Sequence, residues 1–403
     1  MQRGYYLKIC GLIAEYNPFH NGHLYHLEMS KQQTAADYTV AVMSGHFLQR
    51  GEPALLDKWT RAAMAVRCGV DLVVELPVYY ATASAQYFAE GAIALLDRMA
   101  VDAVCFGSES GDIELLQTVA CALQDIDQKY GAELARALQG GTPYHAARQR
   151  VLREQYGIAF DFSANNILAI SYLRAAKKYN ISANLATIKR RSADYHDTAI
   201  SGDIASATAI RGQLDRRPID WQRIAAVMPK PAFKTLYDSS HYAYLNDFKT
   251  LVNSAIIRAG RSGLEQIRGV SEGLENRLID NISNVMSLED LVEAVVSKRY
   301  PKTRIRRLLI NILLGIERER VQTAEQHLDY ARILAFNENG RKIIKHVKRN
   351  GDLTLFSNLA RDLKKYRKAN PLIDLDVAAT GIYSQVNHAV HIRSDYAMHP
   401  IEV

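Results

Sequence analysis

Short apolar runs alternate with amphipathic segments along the first half of the chain. Each run is short enough to be a buried strand, and the segments between them carry apolar residues at helical spacing. The apolar runs predict five strands, at residues 7–15, 38–44, 71–78, 102–107 and 183–189. The amphipathic segments predict helices at 20–34, 57–68 and 84–99, and over most of 111–180.

Continuous apolar strands joined by helices are typical of a parallel sheet covered on both faces. We therefore predict an α/β fold with a doubly wound, Rossmann-like parallel sheet. Ligands of such sheets collect beyond the carboxyl ends of the strands. Three short segments follow such ends: the histidines at 20 and 23, Ser44-Gly45 and Gly107-Ser108. The pattern thus indicates one functional site at this edge of the sheet.

The second half of the chain has a different pattern. Three prolines between residues 218 and 231 mark a boundary region, and helical periodicity follows at 245–260, 287–297 and 303–320. From about residue 350 the sequence mixes loops with strand-like pieces at 382–383 and 390–392. We predict a catalytic domain at 1–215 and, at 216–403, a mainly helical, basic region with a small mixed C-terminal part.

Composition limits the class of protein more than its function. The 403 residues carry a formal net charge of +7, which permits a polyanionic partner without requiring one. No apolar run is long enough to cross a bilayer, and the N-terminus lacks the pattern of a secretory signal. The four cysteines are far apart, so neither a disulfide framework nor a cysteine zinc site is expected. These features favour a cytoplasmic protein with no membrane partner.

The most specific motif is the segment His20-Asn21-Gly22-His23, which follows the first strand and a turn at Asn17-Pro18. Two histidines three residues apart lie on one face of a helix's first turn. A helix N-terminus offers unpaired N–H groups and suits phosphate, and the intervening glycine lets a ligand approach the backbone. The motif predicts that His20 and His23 stabilise charge at the α-phosphate of a nucleotide.

Two further segments are candidates for phosphate binding at the same edge. Ser206-Ala-Thr208-Ala-Ile-Arg211 combines hydroxyls at a helix start with an arginine one turn later. The loop 44–53 is bounded by glycines and leads to the cations Lys58 and Arg61. Lys189-Arg190-Arg191, followed by Tyr195-His196-Asp197, is a weaker basic cluster after the fifth strand.

The densest positive segment lies in the second half of the chain. Residues 297–307 place many cations beside Tyr300 and precede an apolar helix, a combination that indicates contact with a phosphate backbone. The residues that we expect to bind tRNA are Lys298, Arg299, Arg304, Arg306 and Arg307. Motifs typical of kinases, dinucleotide dehydrogenases and serine hydrolases are not present in the sequence.

The two main motifs together resemble the nucleotidyltransferase superfamily with the His-x-Gly-His motif. Five longer phrases resemble the tRNA(Met) cytidine acetate ligase family more narrowly: residues 15–26, 49–54, 165–168, 195–197 and 297–300. The resemblance covers most of the chain and is looser after about residue 320. His46 stands where the family is expected to have asparagine, and Arg191-Ser192 also depart from its pattern.

The resemblance implies that the chain activates acetate with ATP as acetyl-adenylate and acetylates N4 of the wobble cytidine of elongator methionine tRNA. It implies His20 and His23 as catalytic residues and ATP as substrate, with Mg²⁺ on the triphosphate. The sequence itself shows no dedicated carboxylate cage for a metal. Implied or expected ATP-binding residues are Ile13, Ala14, Glu15, Tyr16, Asn17, Pro18, Phe19, His20, Asn21, Gly22, His23, Leu24, Tyr25, His26, Gly107, Asn165, Arg190, Ser206, Thr208 and Arg211.

Two other functions stay open at this stage. A small-molecule adenylyltransferase of coenzyme biosynthesis would explain the first half of the chain equally well, but it would leave the basic helical half without a role. A non-catalytic RNA-binding protein would need a degenerate nucleotide site, whereas both histidines, the hydroxyls and Arg211 are intact. Acyl specificity, tRNA identity and oligomeric state do not follow from the sequence.

Overall fold

One mixed sheet organises the computed structural model, which describes residues 7–138, 142, 144–191, 204–318, 324–366 and 368–403. Its eight strands, in chain order, are β1 (Ile9–Ala14), β2 (Tyr38–Ser44), β3 (Leu72–Leu76), β4 (Ala103–Ser108), β5 (Asn184–Lys189), β6 (Tyr330–Phe336), β7 (Thr354–Phe356) and β8 (Ile401–Glu402). Their spatial order is β5-β4-β1-β2-β3-β6-β7, with β8 beside β6.

The five predicted strands are the parallel part of this sheet. β1 pairs with β2 and β4, β2 with β3, and β4 with β5, all in parallel register. All five residues of β3 are buried, as are Ile9, Cys10 and Leu12 of β1. Burial on both faces explains why these strands are continuous apolar runs, and it confirms the predicted α/β class.

Helices connect the parallel strands close to the predicted positions. In chain order they are α1 (Asn21–Thr34), α2 (Lys58–Arg67), α3 (Val78–Ala81), α4 (Ala85–Arg98), α5 (Ile113–Lys129), α6 (Gly131–Leu138), α7 (Tyr144–Tyr156) and α8 (Ala164–Tyr179). Aspartate side chains cap α2 and α5: Asp57 accepts from the Trp59 and Thr60 amides, and Asp112 caps α5 in the same way. The sequence Gly140-Gly141-Thr142-Pro143 predicts a break in the helical region 111–180, and most of it falls outside the described residues.

The chain after β5 is mostly helical up to residue 318. Its helices are α9 (Ala207–Leu214), α10 (Trp221–Ala226), α11 (Lys230–Tyr237), α12 (Lys249–Gln266), α13 (Leu274–Asn281), α14 (Leu288–Val295) and α15 (Lys302–Leu314), with a 3₁₀ turn at Leu245–Phe248. A second 3₁₀ turn at Ala324–His327 precedes β6, and the last helices are α16 (Glu338–Asn350), α17 (Leu359–Tyr366), α18 (Pro371–Tyr383) and α19 (Ser394–Ala397). Gly260, with φ 56°, interrupts α12.

The C-terminal part differs from the sequence prediction. Residues 382–383 lie in α18 rather than in a strand, and residues 390–392 are not in a strand either. The sequence pattern did not predict β6, β7 or β8, and β6 pairs antiparallel with β3 and so extends the N-terminal sheet. The predicted regions 1–215 and 216–403 therefore share one sheet, and their division into two domains stays a proposal.

A buried ion network joins this C-terminal part to the sheet. Lys58 Nζ lies 2.7 Å from Glu75 Oε2 and 2.9 Å from Asp395 Oδ1, and Arg332 pairs with the same aspartate. All four side chains are buried. Lys58, expected from the sequence to be a cation of the phosphate loop, is thus a structural residue.

Candidate functional site

The predicted histidine pair lies at the N-terminus of α1. His20 is the N-cap residue with extended backbone, and its Nδ1 accepts a hydrogen bond of 3.0 Å from the Gly22 amide. His23 Nδ1 accepts one of 3.2 Å from the His20 amide. The two ring centroids are 3.8 Å apart at an interplanar angle of 31°. The structure therefore places both rings together at the carboxyl end of β1, as the motif predicts.

Gly22 serves these rings in a way that the sequence did not indicate. A Cβ at this position would lie 2.8 Å from His20 Cε1 and 3.0 Å from its Nδ1. The glycine therefore makes room for the His20 ring to fold back over the helix start. Aromatic residues of the preceding turn fix the second ring: Tyr16 and Phe19 are buried and lie 5.1 and 5.5 Å from His23, centroid to centroid.

Both imidazoles are neutral donors at physiological pH. Since each Nδ1 accepts a backbone N–H bond, the hydrogen-bond pattern assigns the ring proton to Nε2. Burial, together with the charges of Arg190 and Arg211, lowers the pKa of His20 to about 3. Burial, the neighbouring His20 ring and Arg190 hold the pKa of His23 well below its usual value. Two N–H groups can thus bind an anion without first taking up protons.

The Ser206–Arg211 segment is brought against the histidine turn. Ser206 caps α9 by accepting from the Ala209 amide at 3.0 Å. Arg211 donates to the Asn17 carbonyl at 2.8 Å and to Glu52 at 2.7 Å, and its guanidinium lies 3.4 Å from Thr208 Oγ1. The two motifs, almost two hundred residues apart in sequence, therefore form one site.

The loop after β2 completes that edge. The Gln49 amide donates to Glu15 Oε1 at 2.7 Å, and Arg50 reaches Thr208 Oγ1 at 3.5 Å. Arg61, expected from the sequence to be a phosphate cation, is instead fully buried and donates to the Glu15, Ser44 and Gly45 carbonyls. It holds the carboxyl ends of β1 and β2 together.

The remaining ATP-site candidates lie at the ends of β4 and β5. A Cβ at Gly107 would lie 3.1 Å from Arg190 Cγ, so the glycine leaves room for that arginine. Burial lowers the pKa values of His20, His23 and His26, and the charge of Arg190 contributes to each of these shifts. Arg191, which departs from the family pattern, lies over the Tyr25 ring at 4.6 Å. Residues 195–197 lie outside the described part of the chain.

Asn165 occupies the start of α8, where its amide serves a neighbouring carboxylate. Its Nδ2 donates to Glu109 Oε1 at 2.5 Å, and the Asn166 backbone amide donates to Glu109 Oε2 at 2.8 Å. Asn166 Oδ1 in turn accepts from the amides of Glu109 and Ser110. Ser163 is the N-cap residue of α8 but makes no side-chain cap bond, so Glu109 caps the helix and ties it to the end of β4.

The basic segment 298–307 is exposed at one end and docked at the other. Lys298 and Arg299 are exposed, with Arg299 paired to Glu272. Arg304 stacks on Tyr300 at 4.6 Å, and Arg306 lies 2.7 Å from Glu289. Arg307 differs from the others because it donates to the Gln49 carbonyl at 3.2 Å. This helix therefore contacts the loop at the edge of the sheet directly.

Gly51 marks the contact between that loop and α15. Its φ is +76°, and an added Cβ would overlap the backbone at Arg306 and Arg307. Gly51→Ala is expected to lower the free energy of unfolding by more than the roughly 1–3 kcal/mol of left-handed strain alone. Urea unfolding measures this. Gly157→Ala is the matched control, because Gly157 has φ +67° with nothing within 4 Å of its Cβ. Equal losses in the two variants would contradict a tight contact.

The buried position of His46 leads us to expect that the folded protein loses stability in acid. It is buried, stacks on Tyr383 at 4.3 Å and hydrogen-bonds Thr380 at 3.2 Å. Burial and the charges of Lys58, Arg61 and Arg332 hold its pKa well below 6.5. Below about pH 6.5 the imidazole of His46 is protonated in the unfolded chain but stays neutral in the folded protein. The free energy of unfolding therefore falls as the pH drops, by up to about 1.4 kcal/mol per pH unit.

The melting temperature between pH 7 and pH 5 tests this expectation. His46→Asn should show a shallower decline than the parent, whatever its stability at pH 7. His388→Asn, at an exposed position, is the control and should follow the parent curve. Parallel curves for parent and His46→Asn would show that His46 does not stay neutral in the folded protein.

Neither a metal-binding cluster nor a membrane-spanning helix occurs among the described residues. No cluster of three or more His, Cys, Asp or Glu side chains that could hold a metal ion occurs among the residues described. Within the same residues, no helix is sufficiently long and apolar to span a membrane. The cysteines in this part of the chain are free, and Cys10 and Cys105 are buried in the sheet, as expected of core residues.

Known proteins match the chain along nearly its whole length. The family model described as HIGH Nucleotidyl Transferase matches residues 7–396. A tRNA(Met) cytidine acetate ligase of Clostridium perfringens is 39% identical over 408 residues, covering 98% of this chain and 99% of that protein. The protein of the same name from Alkaliphilus metalliredigens is 40% identical over 398 residues, covering 94% of each.

Solved structures agree with these relatives. The apo crystal structure of Thermotoga maritima TmcAL has a TM-score of 0.90 and 35% identity, covering 98% of this chain and 100% of that chain. A crystal structure of the same protein bound with alpha-thio ATP has a TM-score of 0.87 over the same coverage. The similarity therefore extends over both the sheet and the helical half.

Proposed function

This chain belongs to the HIGH nucleotidyl transferases and, within them, to the tRNA(Met) cytidine acetate ligase family, and on that premise we propose its reaction. The acetate carboxylate attacks the α-phosphorus of ATP and pyrophosphate leaves, giving acetyl-adenylate. The N4 amine of the wobble cytidine of elongator tRNA(Met) then attacks the acetyl carbon, and AMP leaves. The paired neutral imidazoles at the start of α1 are the observation that supports this proposal most directly.

Charge grows on the α-phosphate oxygens as the carboxylate attacks. His20 and His23 donate Nε2–H bonds to these oxygens, and the α1 N-terminus adds its partial positive charge. Arg190 and Arg211 hold the remaining phosphate charge. Since the imidazoles are already neutral and fixed through Nδ1, they stabilise the transition state with little reorganisation.

The other nucleotide contacts follow the same edge of the sheet. Residues 13–26 line the triphosphate, with Ser206 and Thr208 at the second helix start and Gly107 beside the nucleoside. Asn165 already donates one N–H to Glu109, so its second N–H and Oδ1 are the groups that would bind the ribose or base. Mg²⁺ would be held mainly by the phosphates and water, as it prefers octahedral oxygen ligands.

The second half-reaction requires the cytidine to leave the anticodon stack and reach the adenylate. Lys298, Arg299, Arg304 and Arg306 are proposed to bind the phosphate backbone of the tRNA. Arg307 was grouped with them from the sequence, and its bond to the Gln49 carbonyl supports a share in holding the loop as well. We place the reaction in the cytoplasm, with tRNA and acetate as partners.

Incubation with labelled acetate, ATP and bulk tRNA, followed by nucleoside analysis, tests the proposal. The expected result is label in N4-acetylcytidine that requires both ATP and tRNA. Label that accumulates only in a small-molecule product without tRNA would support a coenzyme adenylyltransferase instead. RNA binding without any consumption of ATP would support a non-catalytic protein.

A further inference from the structure

Three aromatic side chains form a cluster on α10 and α11, outside the nucleotide site. The ring centroids of Trp221 and Tyr237 are 4.9 Å apart, those of Phe233 and Tyr237 are 5.8 Å apart, and those of Trp221 and Phe233 are 6.2 Å apart. Tyr237 is 54% exposed, and the other two are partly exposed. We call these three residues the aromatic platform. Solvent-exposed area of this kind is available to a planar ligand.

The segment that carries the platform has a surplus of positive charge. Residues 216–238 contain five Lys or Arg and two Asp. Both aspartates are paired within this segment, Asp220 to Arg223 at 3.6 Å and Asp238 to Lys234 at 2.7 Å. Within the described chain, three exposed cations of the segment make no ion pair: Arg216, Arg217 and Lys230. An aromatic surface with surplus cations is complementary to a polyanion that carries flat bases.

The platform is also close to the histidine pair. Asn21, which lies between His20 and His23 in sequence, donates through its backbone to the Val227 carbonyl at 2.9 Å and through Nδ2 to the Ala226 carbonyl at 3.2 Å. Ala226 is the last residue of α10 and Trp221 the first. At the helical rise of 1.5 Å per residue, Trp221 lies about 7.5 Å along the helix from this contact. A nucleotide on the platform is therefore a near neighbour of one at the reacting site.

We propose that Trp221, Phe233 and Tyr237 stack an unpaired nucleotide of the tRNA anticodon loop that flanks the reacting cytidine. The inference rests on the proposed acetylation, for which the cytidine must be unstacked from its neighbours. A base that loses its partner in the anticodon stack regains stacking energy on an aromatic side chain, and nearby cations bind its phosphates. The platform thus offsets part of the cost of extracting the cytidine.

Tryptophan fluorescence tests this with the protein unchanged. The chain has two tryptophans, and Trp59 is buried beneath Lys58 and Arg332, so a surface ligand reports on Trp221. Titration with a synthetic anticodon stem-loop of elongator tRNA(Met) is expected to quench the emission. Binding of the stem-loop, measured separately by filter retention, with no change in emission would overturn the proposal.

Variants at Tyr237 measure how much stacking contributes to the affinity for the stem-loop. Tyr237→Ala should weaken stem-loop binding by about five- to 150-fold, because base stacking contributes about 1–3 kcal/mol. Tyr237→Phe keeps the ring and should bind like the parent. Tyr144→Ala is the matched control, since Tyr144 is 47% exposed on α7, remote in sequence from the platform, and should leave the affinity unchanged. Unchanged affinity in Tyr237→Ala, with an unchanged melting temperature, would exclude stacking.

The stem-loop titration separates this proposal from the proposed function. Quenching without formation of N4-acetylcytidine in the labelled-acetate assay would leave the platform as an RNA surface and overturn the acetylation alone. Formation of N4-acetylcytidine without quenching would overturn the stacking proposal and leave the proposed acetylation standing.

Discussion

Replacing His20 or His23 by alanine is expected to reduce acetate-dependent exchange of pyrophosphate into ATP by at least about 100- to 1,000-fold. That range is the usual loss when one preorganised donor to a developing oxyanion is removed. Both rings already donate through Nε2 in their neutral form, because their pKa values lie below the physiological range. The alanine substitutions should therefore slow adenylate formation because a hydrogen-bond donor is lost, and not because a proton transfer is blocked. Exchange assays without tRNA isolate that half-reaction.

His20 also caps α1, so its two roles must be separated. Loss of an N-cap costs about 1 kcal/mol, which should lower the melting temperature slightly without unfolding the protein. His20→Asn is the informative control, because asparagine is a good N-cap and keeps an N–H donor, though at a shorter reach. Compared with His20→Ala, this variant should regain the full melting temperature of the parent but only part of its pyrophosphate exchange rate. Near-normal exchange in either alanine variant would refute the catalytic role of the pair.

The parallel half of the sheet and the histidine pair were predictable because both depend on local sequence. Strands buried on two faces must be continuous apolar runs, and their carboxyl ends must meet at one edge. Helical spacing predicts that His20 and His23 lie close together, although His20 is the N-cap residue just before the helix. The observed strand Tyr38–Ser44 has the predicted limits.

The rest depends on partners that are distant in sequence. β6 (Tyr330–Phe336) is a short apolar run that a buried helix could equally contain, and its pairing with β3, β7 and β8 makes it a strand. Residues 382–383 are apolar and β-branched or aromatic, yet they end a helix whose buried face packs on the core. Gly22 and Lys58 show the same limit for side chains, because the His20 ring and Asp395 that explain them cannot be placed from spacing.

Lys58→Met should be the most destabilising single change outside the nucleotide site. It removes the cation that lies between Glu75 and Asp395, at 2.7 and 2.9 Å, and leaves two buried carboxylates with Arg332 alone. Breaking a buried ion pair from one side costs about 3–5 kcal/mol, because the remaining charge stays desolvated. Since the network holds Asp395 against the sheet, the C-terminal residues should loosen with it. Urea unfolding measures the loss in free energy of unfolding.

An exposed ion pair provides the control for this prediction. Lys234→Met breaks the exposed Lys234–Asp238 pair, also at 2.7 Å, and should cost less than about 1 kcal/mol because water solvates the aspartate that remains. The double variant Lys58→Met with Glu75→Met tests the mechanism. It leaves the Arg332–Asp395 pair balanced, so it should be more stable than Lys58→Met alone. If Glu75→Met instead lowers the free energy of unfolding further, packing rather than uncompensated charge determines the stability of this region.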